Sequence, residues 1–308
     1  MRHGCAALLA AALLSSFSAQ ADEQLFGYVY GTDTLPKGET EVQASITHRW
    51  GKARGHYAAD DFQLEVEHGI TDKLAVAGYL LGLKIDHKGA FPTAVNDPLD
   101  PLDDDVLYPD RKGAFFRGIK TQLKYNVMSP YAEGGFGLSF FVEPSYITRF
   151  RVDGSKTKQI EIEVGALAQK NFFNDKLVIA ANTIVARERR TLVEDDDFVE
   201  HEIEFYQLLG ATYRIANNFY AGLEARHHMD VLKNEEGDYK KNQYSFFIGP
   251  TLHYATKAWW MTMTYFRQIQ GGPTYAKSVG PIVDPVDSDL HLDENEKNEV
   301  RLRFGMDF

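Results

Sequence analysis

Twelve stretches of this 308-residue chain read as extended strands, most of them alternating polar and apolar side chains, a period that only an extended strand turns into two chemically distinct faces. They run over 39–51, 59–70, 73–85, 114–127, 133–148, 157–171, 176–188, 198–215, 218–231, 240–255, 258–269 and 296–308. The last is the clearest. Val300, Leu302, Phe304, Met306 and Phe308 oppose Glu299, Arg301, Arg303, Gly305 and Asp307. The connections alternate too: 69–72, 128–132, 172–175, 216–217 and 256–257 are short, and 52–58, 86–113, 149–156, 189–197, 232–239 and 270–295 are longer. An even number of strands joined by short turns at one end and longer loops at the other is the pattern of a bacterial outer-membrane barrel. The expectation is an all-β fold, a transmembrane antiparallel up-and-down β-barrel of about 12 strands. Both termini would be periplasmic and the longer loops extracellular.

The two faces support that reading against a soluble sandwich. Phe62, Leu64 and Val66 oppose Asp61, Gln63, Glu65 and Glu67, and Ile160, Ile162 and Val164 oppose Glu161 and Glu163. Further on, Ile203, Phe205, Leu209 and Ala211 oppose Glu202, Glu204, Tyr206 and Thr212, and Leu223 and Ala225 oppose Glu224, Arg226 and His228. A face this charged does not suit a dry core, whereas a polar lumen beside a lipid-facing surface accommodates both. The rings of Trp50, Tyr125, Tyr213, Phe219, Tyr254, Trp259 and Trp260 fall near strand ends, where membrane interfaces favour them. Pro250 should shorten or bulge its strand, since it lacks a ladder donor. The stretches 73–85 and 176–188 are apolar on both faces and leave their lumen side unassigned.

The N-terminus reads as an export signal over 1–21: Arg2 and His3 precede the apolar run Ala6 to Leu14, and Ala19-Gln20-Ala21 suits cleavage before Asp22. The single cysteine, Cys5, lies inside it, so the exported chain carries no thiol and no thiolate metal site, cysteine nucleophile or disulfide is expected. Residues 22–38 form a short segment in the periplasm or tucked into the lumen, and 39–308 form the barrel. The formal net charge of −11 becomes −12 without the signal and disfavours nucleic acid as a partner. A mean hydropathy of −0.34 is compatible with a barrel because only alternate residues meet lipid.

Function is read from the inner face. The lumen candidates are Glu65, Glu67, Lys120, Lys124, Glu161, Glu163, Glu202, Glu204, Arg214, Glu224, Arg226, His228, Arg301 and Arg303. With Glu41, Asp61, Glu143, Asp230, Glu299 and Asp307 added to the acids and Arg49 to the bases, acids outnumber bases thirteen to seven, which favours a porin-like channel or transporter passing a small solute through a polar, net-acidic lumen. The alternatives are a closed barrel whose charges pair into a rigid network and whose outer loops bind a partner or cation, and a lipid-modifying enzyme. The enzyme reading is weak. His227 and His228 face opposite ways on a strand, no serine is near His228 on that strand, and neither G-x-S-x-G nor H-E-x-x-H occurs. No catalytic residue, cofactor or metal is expected, and Asp103 to Asp105 and Asp195 to Asp197 read as solvated loops. Whether the proline-bearing loop 86–113 folds inward is left open.

Tyr30-Gly-Thr-Asp-Thr-Leu-Pro-Lys-Gly-Glu-Thr-Glu-Val42 and Glu65-Val-Glu-His-Gly-Ile-Thr-Asp-Lys-Leu74 resemble a family of uncharacterised bacterial outer-membrane barrels, and more distantly the transporter barrels named after the phenol meta-cleavage pathway. The resemblance implies an outer-membrane location, and its distant part implies transport of a hydrophobic compound. The terminal Phe304, Met306 and Phe308 resemble the signal read by the barrel assembly machinery. Expected partners are therefore that machinery, outer-membrane lipids and lipopolysaccharide, and a small-molecule solute.

Overall fold

The computed structural model describes residues 24–52, 54–91, 110–131, 134–193, 199–233, 237–272, 289–292 and 294–308. The expected export signal, the acidic stretches 103–105 and 195–197, and the central part of the 86–113 loop with its four prolines lie outside the described residues.

Twelve strands form one closed sheet: β1 Thr40–Trp50, β2 Arg54–Thr71, β3 Leu74–Phe91, β4 Arg111–Met128, β5 Phe136–Arg149, β6 Lys156–Phe172, β7 Leu177–Leu192, β8 Val199–Ala216, β9 Phe219–Lys233, β10 Tyr239–Ala255, β11 Trp259–Gly272 and β12 Asn298–Asp307. Each strand is antiparallel to the next, and β12 returns to β1 with Glu41 opposite Asp307 and Trp50 opposite Asn298. Closure leaves no edge, so each ladder has a partner on both sides. We call the two rims the turn end and the loop end.

Period two decides which residues point where. Leu64, Leu80, Ile119, Val164, Leu209, Leu223 and Met263 are exposed on the outside, while Gln43, Glu65, Gln122, Glu143, Asn182, Glu224 and Thr264 are buried inside. An apolar belt this continuous around a molecule is the surface that hydrocarbon covers, and it would be an aggregation liability in water. Tyr125, Tyr213 and Tyr254 face outward near the turn end, and Trp259 there stacks on Phe304 with ring centroids 5.9 Å apart. Trp260 departs from the expected aromatic belt. Being adjacent to Trp259 it points inward, where it is buried and its indole donates to Glu41 Oε2 at 2.6 Å.

Several strands run longer than their alternating stretches. β2 and β3 extend together past the end of β1, from Arg54 opposite Phe91, so the expected loop 52–58 shrinks to 51–53. β3 and β4 likewise absorb both ends of the 86–113 stretch. Pro250 does not shorten β10. It sits inside a 17-residue strand where pairing with β11 passes from Ile248 to Thr251, so its missing donor falls in a gap of that ladder; the register shift lies earlier, between Phe246 and Phe247. Pro144 of β5 occupies a similar gap opposite β4, between the Leu123–Val142 and Lys120–Ser145 pairs.

The barrel is filled at its turn end by its own N-terminal segment, residues 24–38. Leu25, Phe26, Tyr28 and Val29 are buried and pack on Phe141, Leu167, Val178, Ala180, Ile184, Leu208, Phe247 and Phe266. This explains why β7 is apolar on both faces: one meets lipid and the other meets the segment. β3 has a similar reason, since Leu83 and Ile85 cluster with Tyr57 and Ala59, and Ala77, Tyr79 and Leu81 with Ile147. Gly210 belongs to the same fit, because any side chain there would run into the ring of Phe26.

Candidate functional site

The segment is held mainly through its backbone. Three successive amides, those of Gly27, Tyr28 and Val29, donate to the Glu224 carboxylate at 2.8, 2.8 and 2.9 Å, a concave nest of N–H groups closed on one anion. Thr264 Oγ1 adds a fourth donor at 2.7 Å. Asn182 answers both polar groups of Tyr30, accepting from its N–H at 2.7 Å and donating to its carbonyl at 2.9 Å. Further along, Gln169 accepts from the Thr32 amide at 3.1 Å, and Asn126 Nδ2 donates to the Thr32 carbonyl at 2.6 Å. A peptide buried without regular structure needs such partners for each polar group, and uncharged inner amides supply them. Burial pushes the Asp33 carboxyl of this segment up to about 7, against the pull of the nearby Lys124 charge.

At the loop end the β5–β6 connection and the approach to β12 turn inward over the lumen. Arg49, fully buried, pins both: its Nη2 donates to the Arg151 carbonyl at 2.8 Å, its Nη1 to Glu296 Oε1 at 2.5 Å, and its Nε to Asp61 at 2.6 Å. Tyr57 OH donates to the Val152 carbonyl at 2.7 Å, and Lys52 Nζ to the Asn295 carbonyl at 2.9 Å. Burial alone would raise the Glu296 carboxyl, but the Arg49, Lys52 and Arg151 charges outweigh it and hold it below the usual carboxylate range.

Between these two closures lies a cavity of about 290 Å³, floored by Tyr28 and Tyr30 and roofed by Phe150, Arg151, Glu294 and Asn295. Among the described residues its lining carries Asp61, Glu161, Glu163, Glu188, Glu202, Glu204, Glu294 and Glu299 as acids, and Arg117, Lys120, Arg151, Arg190, Arg226, Arg301 and Arg303 as bases. Eight against seven is much closer to balance than the inner-face residues suggest when read from the sequence. The acids are unevenly spread: five of the eight stand on β6, β7 and β8, with Arg190 among them, while β12 carries Arg301 and Arg303 beside Glu299.

The lumen candidates separate into groups. Arg226 grips Glu299 with two N–H groups, Nη2 at 2.7 Å and Nη1 at 3.2 Å, and its guanidinium lies 4.4 Å from the Phe247 ring centroid. Tyr28 OH donates to the same Glu299 at 2.9 Å, and Arg301 stacks 4.0 Å above the Tyr28 ring while donating to Thr47 and to the Gly27 carbonyl. Lys120 pairs with Glu143 at 2.6 Å. His228 Nε2 lies 2.5 Å from Asp230 and 3.1 Å from Glu204, and its ring stacks on Tyr206 at 4.2 Å. Glu161, Glu163, Glu202 and Glu204 line the chamber. Glu65, Glu67 and Lys124 are buried on the inner face but outside the chamber lining, and Arg303 links Gln43 and Gln24 nearer the segment. Glu224 belongs to the nest. Arg214 stands apart at the turn-end rim, donating to the Asn174 carbonyl at 3.1 Å. Phe304, Met306 and Phe308 all point outward.

Sequence reasoning missed Asn126, Gln169 and Asn182, which hold the segment, and Glu188, Arg190 and Glu294, which line the chamber. A usable signal was present for the first group. Asn182 interrupts the apolar run of β7, and inward glycines such as Gly210 mark where a second chain passes.

The fold is shared with solved structures. The outer-membrane channel COG4313 from Pseudomonas putida F1 is 13% identical, the alignment covers 90% of this chain and 98% of that one, and the TM-score is 0.62. The NanC porin is 9% identical over 86% of this chain and 98% of that one, with a TM-score of 0.48. LpxR from Salmonella typhimurium is 7% identical over 86% and 99%, with a TM-score of 0.42. No curated protein sequence matches the chain. Over residues 18–308 the sequence does match a family model, and the chain belongs to that family, DUF6662, a family of unknown function.

Proposed function

We propose that this protein is an outer-membrane channel for a small polar solute, gated at the turn end by its own N-terminal segment. The observation that carries the reading is the charged cavity of about 290 Å³ enclosed inside a lipid-facing barrel by two parts of the same chain. Its size falls near the small end of ligand pockets. A lining with both signs of charge in near balance suits a solute that carries both charges, or a neutral polar one, better than the hydrophobic compound implied by the phenol-pathway resemblance. In this reading the turn end, with the start of β1 and Phe308, faces the periplasm and the loop end faces outward. Insertion uses the assembly machinery, and outer-membrane lipid and lipopolysaccharide cover the apolar belt.

Conductance in planar bilayers tests the proposal. The intact barrel should conduct little and a variant lacking residues 24–36 should conduct strongly, with liposome swelling fastest for zwitterionic solutes. No current and no swelling from either protein overturns it. The buried Arg49–Glu296 contact over the lumen favours a second reading, a closed barrel whose outer loops bind a partner, and silence from both proteins is the outcome that reading expects.

A further inference from the structure

On the acid-rich side, at the loop end of the chamber, carboxylates from four parts of the chain converge. Glu188 of β7, Glu202 and Glu204 of β8, Asp230 of β9 and Glu294 ahead of β12 form overlapping groups: Glu188 with Glu202 and Glu204, Glu202 with Asp230 and Glu294, and Glu204 with Asp230 and His228. Within each group the candidate ligand atoms all lie within 4.8 Å of one another. Two basic side chains touch four of these carboxylates: Arg190, which also pairs with Glu200 and stacks over Phe150, reaches Glu188 at 3.5 Å and Glu294 at 4.0 Å, and His228 lies against Asp230 and Glu204.

Glu202 supplies the second observation. It belongs to two of the three groups, its residue is only 4% exposed, and its Oε1 accepts no hydrogen bond among the described residues. It also lines the chamber. A buried carboxylate oxygen without a donor, aimed into a set of other carboxylates, is left both desolvated and repelled. A cation at the centre of the set removes both penalties at once.

We propose that these residues form a calcium site, with Glu188, Glu202, Glu204, Asp230 and Glu294 as its oxygen donors. The donor set selects the metal class. Five carboxylates offer up to ten oxygens in an irregular arrangement, which matches the six to eight oxygen ligands and loose geometry of calcium. Zinc favours nitrogen and sulfur in a tetrahedron, and the set has one histidine whose Nε2 already meets two carboxylates. Glu188, Glu202, Glu204 and Glu294 all line the chamber. Occupied, the site ties Glu294, in the inward-turned approach to β12, to three wall strands, and it neutralises much of the acid-rich side that a passing solute meets. The proposal is independent of transport and stands equally in a closed barrel.

The test is calcium binding to the folded, full-length barrel in detergent after treatment with a chelator, followed by calorimetry with calcium chloride and by terbium luminescence, for which Tyr206 is a built-in donor. Wild type should bind one calcium, with affinity somewhere between micromolar and the roughly millimolar range of extracellular calcium modules. E202Q and D230N should each weaken it at least about tenfold, as loss of a metal ligand or its immediate support does. E65Q, on a wall residue outside the set, should bind as wild type. Calcium should also raise the thermal unfolding midpoint of wild type and leave that of E202Q where it was. A wild-type barrel that takes up no calcium at millimolar concentration overturns the site, as does undiminished binding in both E202Q and D230N. Both variants remove a like charge from the cluster, and the gel shift between heated and unheated barrel reports that they fold.

Discussion

The two halves of the lumen solve the problem of burying polar groups in opposite ways. At the turn end the groups to be satisfied are neutral backbone amides and carbonyls of residues 24–38, and Asn126, Gln169, Asn182 and the one carboxylate of Glu224 meet them almost one for one. At the loop end the groups are charges, most of them in ion pairs, and Glu202 keeps an oxygen that no described residue answers. Answered amides hold the segment in one arrangement, whereas a buried carboxylate oxygen without a donor is a cost that a bound cation would relieve.

The largest effect expected from breaking this contrast is at Glu224. Glu224→Ala strips three successive amides of their acceptor, at about 1 to 3 kcal/mol for each buried donor left unanswered. Residues 24–36 should then become accessible to protease while the barrel stays folded, and hydrogen exchange at Gly27, Tyr28 and Val29 should accelerate together. A segment as protected as in wild type would break the assignment of Glu224 as its anchor.

A smaller effect follows from pH. The Asp33 carboxyl, ordinarily near 3.9, is raised to about 7 by burial in the docked segment, so docking favours its protonated form. The associated stability is fully present below about pH 4 and is lost as pH rises through about 7. Cleavage of the segment should be faster at pH 8 than at pH 5 by up to roughly a hundredfold, because between those two pH values the docked carboxyl gives up the proton that docking favours. A flat profile, or one unchanged by Asp33→Asn, sinks this reading.

The smallest effect on stability is expected in the chamber. Glu163 stands directly opposite Glu143 across the β5–β6 ladder, and like charges so placed repel. Glu163→Gln should change stability by no more than about 0.5 kcal/mol in either direction. In a barrel freed of residues 24–36 the same substitution should move ion selectivity toward anions. A strongly destabilised Glu163→Gln barrel would erase the contrast between the halves.

The barrel was legible in the sequence because period two acts locally, and each strand declares its faces without knowledge of its neighbours. β7 was illegible for the same reason. Val178, Ala180 and Ile184 face inward because a segment some 150 residues away packs on them, and nothing in the strand itself records that. Trp260 was read with the interfacial aromatics by its place near a strand end, although alternation after Trp259 turns it into the lumen. The carboxylate set falls furthest from view. Its members come from β7, β8, β9 and the approach to β12, so no spacing along the chain betrays it, and the barrel's curvature alone gathers them.

The junction between segment and barrel has a dynamic consequence. Gly38, at φ +88°, donates to the Gly69 carbonyl at 2.8 Å, and the Lys37 amide bonds Asp72 at 3.0 Å, so the chain is clamped to the β2–β3 turn just where β1 begins. Everything from Gln24 to Pro36 is a leash beyond that clamp, with an extended reach of about 45 Å, longer than the roughly 30 Å hydrocarbon thickness of a bilayer. A released segment can clear the barrel entirely and still never diffuse away. Its return would be an intramolecular event at an effective concentration on the order of millimolar, so if the segment gates the lumen, reclosure needs no second protein and no energy source.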